Sequence, residues 1–428
     1  MRGPRKLLAG ALGALSLLVA AVPAAASDVA PSGRVRTSVV VRSAPTTSSA
    51  PVGRLSPGES ATLVADAPGW HRVRLADGTE GWVSKAWTVV EDGPAAALAP
   101  SGPFRMHAID VGTGLAVFVE GPGFALLYDA GSQDDLATGA DNRVVAYIRR
   151  VRPDLRVIDQ LVLSHPHKDH VELMPDVFDR FEVRHVWDSG ALNGTRGYCR
   201  FLRAVAAEPG ATYHDAAADG GTREATFSNG GCAGTIRIPR GTMIAAAPVP
   251  LGPGASMTFL HRDATRHADP NQNTLVVRLD IGGRRVLLAG DAEGGGRLPP
   301  EQPPSDRSVE AELLVCCRAD LAADVLVVGH HGSLTSSRRA FLDAVGARTY
   351  VISSGPHPYS RVVLPDAAVV AELSSRGRVL RTDEGDEACG LAERKVGPDA
   401  DESPGGCSSV LVTVEGGAVT AGAGARDD

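Results

Sequence analysis

Three histidines and an aspartate fall within six residues, in the segment His165-Pro166-His167-Lys168-Asp169-His170. The segment directly follows an apolar run, residues 157–163, whose Val, Leu and Ile content predicts a buried strand. In an extended loop, side chains two residues apart point the same way, so His165 and His167 can share one cation. Asp169 and His170 then face a second position nearby. Because imidazole and carboxylate together suit zinc, manganese or iron better than calcium or magnesium, the segment predicts a metal site.

Five further short segments carry acidic, histidine or glycine residues in a fixed order along the chain. They are residues 107–112 (HAIDVG), 127–131 (LYDAG), 273–279 (NTLVVRL), 288–293 (LAGDAE) and 328–333 (VGHHGS). Together with H-x-H-x-D-H after a hydrophobic strand, this set resembles the metallo-β-lactamase superfamily. Within that superfamily it is most similar to the hydrolase domain of ComEC-type DNA-uptake proteins. The resemblance covers about Phe104 to Val419.

The resemblance implies two divalent cations, with zinc as the favoured metal and manganese as the alternative. It assigns six side chains to the metals: His165 and His167 to one, Asp169 and His170 to the other, Asp291 as the bridge, and His331 to complete the second. His331 is favoured over His330 only slightly, because sequence cannot separate adjacent imidazoles. The resemblance gives catalytic roles to Asp129, which would orient a ligand or a water, to Asp169, and to His330. In that role His330 would contact an anionic oxygen or protonate a leaving group.

Two departures from the ComEC-type pattern leave the substrate open. The usual opening D-V-G-Q-G-D-A is replaced by Asp110-Val-Gly-Thr-Gly-Leu115-Ala, and an expected His-Pro pair is Leu364-Pro365. The favoured function is hydrolysis of phosphodiesters, in nucleic acid or in a cell-wall polymer. A lactone or carboxylic ester hydrolase is the alternative, because the same metal chemistry acts on carbonyls. A non-catalytic wall-binding protein with a structural metal is the weakest candidate.

The elements that must position these residues belong to an α/β fold. Strands alternate with single helices in two halves, which fits the αββα sandwich of the family over residues 104–428. Helices are expected near residues 144–151, 201–207, 309–321 and 338–345. Residues 294–306 are broken by two Pro-Pro pairs and are expected to form a mobile surface loop, with a rim or lid beside the site as the alternative.

The N-terminus predicts export. Residues 1–26 read as a signal peptide, with Arg2, Arg5 and Lys6 before an apolar stretch and a small-residue end at Ala26. The protein is therefore expected to be secreted or to lie in the cell envelope, and no later segment is long and apolar enough to cross a bilayer. A net charge of −7 does not suit non-specific binding of nucleic acid.

Residues 34–92 predict a small all-β barrel that resembles bacterial SH3-type domains, and residues 93–103 predict a linker. The resemblance implies a cell-wall peptide as partner, in a groove lined by Trp70, Trp82 and Trp87. Trp70 and Trp82 are more strongly expected in the core, because small barrels need large side chains there.

Six cysteines in an exported chain predict disulfides. Cys389 and Cys407 flank a polar segment that a bridge would close, and Cys199 and Cys232 are a second candidate pair. Cys316 and Cys317 are expected to be buried thiols, because a bond between neighbours within a helix would be strained.

Overall fold

A computed structural model describes residues 28–32, 35–67, 69–75, 77–91, 102–134, 138–228, 231–384 and 408–424. The predicted signal peptide and the predicted Cys389–Cys407 bridge lie outside these residues. The chain divides into an N-terminal unit, residues 1–98, and a C-terminal unit, residues 99–428. No helix within the described ranges is both long and apolar enough to span a membrane.

The N-terminal unit is all-β, as predicted. Its strands are β1 (Asp28–Pro31), β2 (Val39–Arg42), β3 (Pro51–Leu55), β4 (Ala61–Ala67), β5 (Trp70–Arg74), β6 (Glu80–Ser84) and β7 (Thr88–Glu91). They form one sheet in the order β3-β2-β6-β5-β4-β1-β7.

The core of this unit is aliphatic, which corrects the expectation for the tryptophans. Val41, Val73 and Val83 are fully buried, whereas Trp70 and Trp82 are only half-buried. Side chains alternate between the two faces of a strand, and the inward positions of β5 and β6 are taken by His71, Val73, Gly81 and Val83. The tryptophans therefore fall on the other face.

The C-terminal unit contains two large mixed sheets and a separate hairpin. Its remaining strands are β8 (Phe104–Ala108), β9 (Ala116–Gly121), β10 (Phe124–Ala130), β11 (Val157–Leu163), β12 (Glu182–Asp188), β13 (Thr212–Asp215), β14 (Thr222–Phe227), β15 (Gly234–Pro239), β16 (Val249–Gly252), β17 (Ala255–His261), β18 (Val276–Ile281), β19 (Arg284–Leu288), β20 (Val325–Val327), β21 (Thr349–Ile352), β22 (Arg378–Arg381), β23 (Val410–Glu415) and β24 (Ala418–Ala423). One sheet runs β13-β12-β11-β10-β9-β8-β23-β24 and the other β16-β17-β18-β19-β20-β21-β22, while β14 pairs with β15.

Helices cover the outer faces of both sheets. They are α1 (Arg143–Val151), α2 (Lys168–Val171), α3 (Pro175–Phe178), α4 (Arg196–Ala207), α5 (Val309–Cys316), α6 (Arg339–Val345) and α7 (Ala367–Arg376). Met106, Leu126, Met257 and Leu279 belong to one buried cluster between the sheets. Two further clusters pack α1 and α4 on one side and α5, α6 and α7 on the other. The predicted αββα sandwich is confirmed.

The cysteines give one confirmed and one wrong prediction. Cys199 and Cys232 form a disulfide, with Cα atoms 6.2 Å apart. Cys316 and Cys317 are also bonded to each other, and Cys316 is exposed rather than buried. The bond is accommodated because α5 ends at Cys316, and Cys317 has left the helical conformation with φ −142° and ψ 22°.

The proline-rich segment 294–306 is irregular but tied to the fold. The Arg338 guanidinium donates to the carbonyl oxygens of Gly296, Leu298 and Pro299. Backbone bonds from Gly294 to Thr335 and from Arg339 to Pro300 add to the attachment. The segment is therefore held against the start of α6.

Candidate metal centre

The six predicted ligands converge from the carboxyl ends of parallel strands. β10 and β11 are parallel neighbours in one sheet, and β19, β20 and β21 are parallel neighbours in the other. The segment 164–170 follows β11, Asp291 follows β19, and His330 and His331 follow β20. Parallel strands end at the same edge of a sheet, which is where open α/β sheets place their sites. Sequence positions more than 160 residues apart thus meet.

One group of three side chains consists of His165, His167 and Asp291. His165 Nε2 lies 3.0 Å from His167 Nδ1 and 3.4 Å from Asp291 Oδ2. Their candidate ligand atoms all lie within 4.8 Å of one another, the spacing that one cation requires. His165 and Asp291 are buried, and His167 is half-buried.

A second group consists of Asp169, His170 and His331, with ligand atoms also within 4.8 Å of one another. His331 Nε2 lies 3.5 Å from Asp169 Oδ2. Asp291 faces this group as well, because its Oδ1 lies 3.2 Å from His170 Nε2 and 3.7 Å from His331 Nε2. One carboxylate therefore lies between two sets of ligands.

Hydrogen bonds fix the orientation of the ligand imidazoles. Asp129, fully buried, accepts from Ser164 N through Oδ1 at 2.6 Å, and its Oδ2 lies 2.8 Å from His170 Nδ1. The Ser164 hydroxyl also donates to Asp129 Oδ2 and lies 3.0 Å from His165 Nδ1. With Nδ1 engaged by a carboxylate, His170 directs Nε2 into the cluster, an arrangement typical of metal-binding histidines.

Three of the atoms that would bind metal lack any other partner. Within the described ranges, His170 Nε2, His331 Nε2 and Asp291 Oδ1 are buried and make no hydrogen bond. A buried polar atom without a partner is costly, and three that face one another call for a shared ligand. Divalent cations satisfy all three, and the donor set of imidazole nitrogens and carboxylate oxygens suits zinc or manganese. The residues fit the metals that the sequence predicts.

Comparison with known proteins agrees with this geometry. The sequence model described as the metallo-beta-lactamase superfamily matches residues 109–357. The chain belongs to the metallo-beta-lactamase superfamily. A second match, to the bacterial SH3 domain, covers residues 37–89 in the N-terminal unit.

This superfamily member is similar to curated proteins named for competence and for recombination. It is 28% identical to Competence protein ComA of Neisseria gonorrhoeae over 288 residues, which are 66% of this chain and 32% of the relative. It is 27% identical to Recombination protein 2 of Haemophilus influenzae, over 59% of this chain and 24% of the relative. The chain thus spans a third or less of these relatives. The solved structure of the metallo-beta-lactamase fold protein YhfI from Bacillus subtilis is 15% identical, with a TM-score of 0.37 over 66% of this chain and 98% of that one.

The metallo-beta-lactamase centre places negative charge among imidazoles. Burial raises the pKa of Asp291, but His170, His330 and the other imidazoles outweigh it and hold the pKa well below its usual range. Burial lowers the pKa of His170, yet Asp291 and Asp129 outweigh that effect and raise it well above the ordinary value. A cation at Nε2 would need that nitrogen without a proton, so metal binding and protonation of His170 would compete.

His330 and His331 differ in their surroundings. Both have left-handed backbone conformations, with φ of 47° and 53°. His331 Nδ1 lies 2.9 Å from the carbonyl oxygen of Ser353, which leaves Nε2 free to face Asp169. His330 Nδ1 contacts Glu293 and Thr335, while its Nε2 lies 3.8 Å from Asp291 Oδ2. The structure groups His331, not His330, with Asp169 and His170.

Several residues around the centre had no role predicted from the sequence. Ser164, Ser353 and Glu293 each hold an imidazole of the cluster. The role of Ser164 could have been predicted from the sequence, because a hydroxyl directly before H-x-H can reach the histidine next to it. Gly131 also has a clear role, since a Cβ there would lie 2.2 Å from His170 N. This close approach seats the Asp129 loop against the ligand loop.

Asp110, in the motif of residues 107–112, bonds two backbone groups. Its Oδ1 accepts from Gly112 N at 3.0 Å, and its Oδ2 accepts from Ser408 N at 3.3 Å. Asp110 therefore joins its own turn to the start of β23.

Proposed function

We propose that the C-terminal unit is a phosphodiester hydrolase that uses two divalent cations, zinc by preference. His165, His167 and Asp291 would hold the first, and Asp169, His170, His331 and Asp291 the second. The observation that carries the proposal is the position of Asp291, because Oδ2 faces His165 at 3.4 Å while Oδ1 faces His170 at 3.2 Å. Bound in this way, such cations lower the pKa of water towards neutrality and stabilise negative charge on phosphoryl or carbonyl oxygens.

Two residues would act beside the ligands. Asp129 would be a positioning residue, because its carboxylate fixes the ring of His170 from behind. His330 would contact the substrate, since Glu293 and Thr335 hold its Nδ1 and leave Nε2 directed at the cluster with the side chain 20% exposed. From there it would donate to an anionic substrate oxygen or to the leaving group.

The substrate class follows from the relatives and from the charge of the chain. Relatives named for competence and recombination favour a nucleic acid, whereas a net charge of −7 and the bacterial SH3 domain favour a wall polymer. Both would be phosphodiesters outside the cytoplasm, in line with the export that residues 1–26 predict. A phosphodiester is therefore the shared proposal.

The test is turnover of bis(p-nitrophenyl) phosphate by the purified full chain. Activity should disappear with EDTA and return with zinc or manganese, and Asp169→Asn should lack it. Asp176→Asn is the matched control, because Asp176 is also buried but bonds Gly139 N and Asn142, away from the centre. Single-stranded DNA and teichoic acid then separate the two polymers. Turnover of lactones alone, or activity that survives chelation, would reject the proposal.

We also propose that the N-terminal unit binds a wall peptide. A cavity of about 510 Å³ is lined by Trp70 and Trp87 together with Arg36 and Arg42. Trp87 is 53% exposed, and an exposed indole beside guanidinium groups suits an acidic peptide. Co-sedimentation with purified peptidoglycan should fall on Trp87→Ala and persist on Trp82→Phe, which lies outside the cavity. Equal binding by the wild type and Trp87→Ala would contradict this assignment.

A further inference from the structure

Tyr359 touches the second ligand group at two points. Its hydroxyl donates to Asp169 Oδ2. Its ring stacks on His331, with centroids 6.1 Å apart and planes inclined by 16°. A single side chain therefore contacts two of the three residues of that group.

A tight turn fixes the position of Tyr359. Tyr359 N donates to Val362 O at 2.8 Å and Val362 N donates back to Tyr359 O at 3.1 Å, with Ser360 in the left-handed conformation at φ 61°. The start of this loop is also held, because His357 N donates to Thr113 Oγ1 at 2.8 Å. The backbone that carries the Tyr359 side chain is thus held in place by hydrogen bonds.

These contacts would order both ligands. Asp169 carries a carboxylate that can rotate, and the phenol hydroxyl holds one of its oxygens. His331 is held at Nδ1 by the carbonyl of Ser353, and the Tyr359 ring lies nearly parallel to the imidazole. Outer groups that orient ligands in this way commonly contribute about 10–100-fold to metal affinity.

We propose that Tyr359 is a positioning residue for the second cation, acting through Asp169 and His331. The proposal rests on the two-cation centre proposed above, and it adds that Tyr359 affects the metal affinity of only one of the two positions. Loss of the phenol hydroxyl should weaken one of the two metal positions and leave the other, held by His165, His167 and Asp291, unchanged.

The experiment is a zinc titration of the metal-stripped full chain in competition with a chromophoric chelator. The wild type should bind two equivalents. Tyr359→Phe keeps the ring on His331 but removes the hydroxyl, and should bind one equivalent as the wild type does and the other about 10–100-fold more weakly. Tyr359→Leu, which also removes the ring, should weaken the same position further. Tyr350→Phe is the control, since its hydroxyl bonds the carbonyl of Ala347 instead.

The outcomes separate this inference from the proposed function. A wild type that binds fewer than two equivalents would overturn the two-cation centre and this inference with it. A wild type that binds two, with Tyr359→Phe binding both at unchanged affinity, would overturn the role of Tyr359 alone. Equal weakening of both positions would also overturn it, because the effect would then not be confined to Asp169 and His331. Thermal unfolding of the metal-free variants checks that each remains folded.

Discussion

Asp129→Asn is the most informative single substitution in the proposed centre. It preserves the shape of the side chain and replaces one of the two oxygens that accept hydrogen bonds. Asp129 has φ 58°, and asparagine tolerates this left-handed conformation about as well as aspartate. The carboxylate accepts from Ser164 N through one oxygen, and its other oxygen meets the Ser164 hydroxyl and His170 Nδ1. An amide offers a carbonyl oxygen at only one of these two places.

Either orientation of the amide loses one of the bonds that the carboxylate makes. With its oxygen towards Ser164 N, the NH₂ group faces His170 Nδ1, which must then accept and carry its proton on Nε2. Nε2 lies 3.2 Å from Asp291 Oδ1, so that proton occupies the place of the metal. In the flipped orientation the NH₂ group meets the Ser164 N–H, donor against donor, in a fully buried site.

The expected magnitude follows from these lost bonds. A hydrogen bond to a charged group contributes about 1.5–3 kcal/mol, and loss of such an outer contact typically lowers metal affinity by about 10–100-fold. Metal affinity should therefore fall at the position that contains His170. Chelator competition measures it, and Asp176→Asn again serves as the control for removing a buried carboxylate. Wild-type affinity at both positions in Asp129→Asn would refute the orienting role.

Three other changes give distinct outcomes. His167→Ala should reduce bound zinc from two equivalents to one with little loss of stability, because His167 is half-buried; elemental mass spectrometry of the variant decides this, and two retained equivalents would exclude His167 as a ligand. Burial raises the pKa of Glu310 from 4.5 to about 8, so the metal-free protein should lose stability, by an order of a few kcal/mol, as pH rises between these values. Urea unfolding should show that Glu310→Gln flattens this dependence, and an equal slope in both proteins would contradict the assignment. Arg338→Met should expose segment 294–306 to proteolysis and fast hydrogen exchange, whereas Arg297→Met, which loses an outer contact to Asp366, should do so less.

The position of residues 164–170 beside the cluster could be predicted because its information is local. The apolar strand and the residues His165, His167, Asp169 and His170 are adjacent in the sequence, so their spacing alone indicates which side chains can lie together. Asp291 also follows a strand, but its predicted role as the bridge between the two cations came from the resemblance. The αββα layers came from the resemblance, and the apolar runs of buried strands and the helical patterns between them agreed with it.

What escaped prediction depends on long-range contacts. Tyr359 is separated from Asp169 by 190 residues, and only the folded chain brings its hydroxyl there. The choice between His330 and His331 depended on which imidazole meets the carbonyl of Ser353, which a sequence does not encode locally. Trp70 was assigned to the core by size, but the alternation of β5 put Val73 inside instead.

The surroundings of the centre explain why so polar a cluster is retained in the interior. Asp129, Asp169 and Asp291 are buried, and so are His165, His170 and His331, at a depth where unpaired polar atoms are costly. The outward nitrogens of these imidazoles are satisfied by Asp129, Ser164 and Ser353. Three inward atoms, His170 Nε2, His331 Nε2 and Asp291 Oδ1, make no hydrogen bond. A cluster built for stability alone would pair those inward atoms too. These imidazoles are thus bonded to the protein at their outward nitrogens, while three inward atoms of the cluster are left for cations. This division is expected when bound cations supply the remaining interactions.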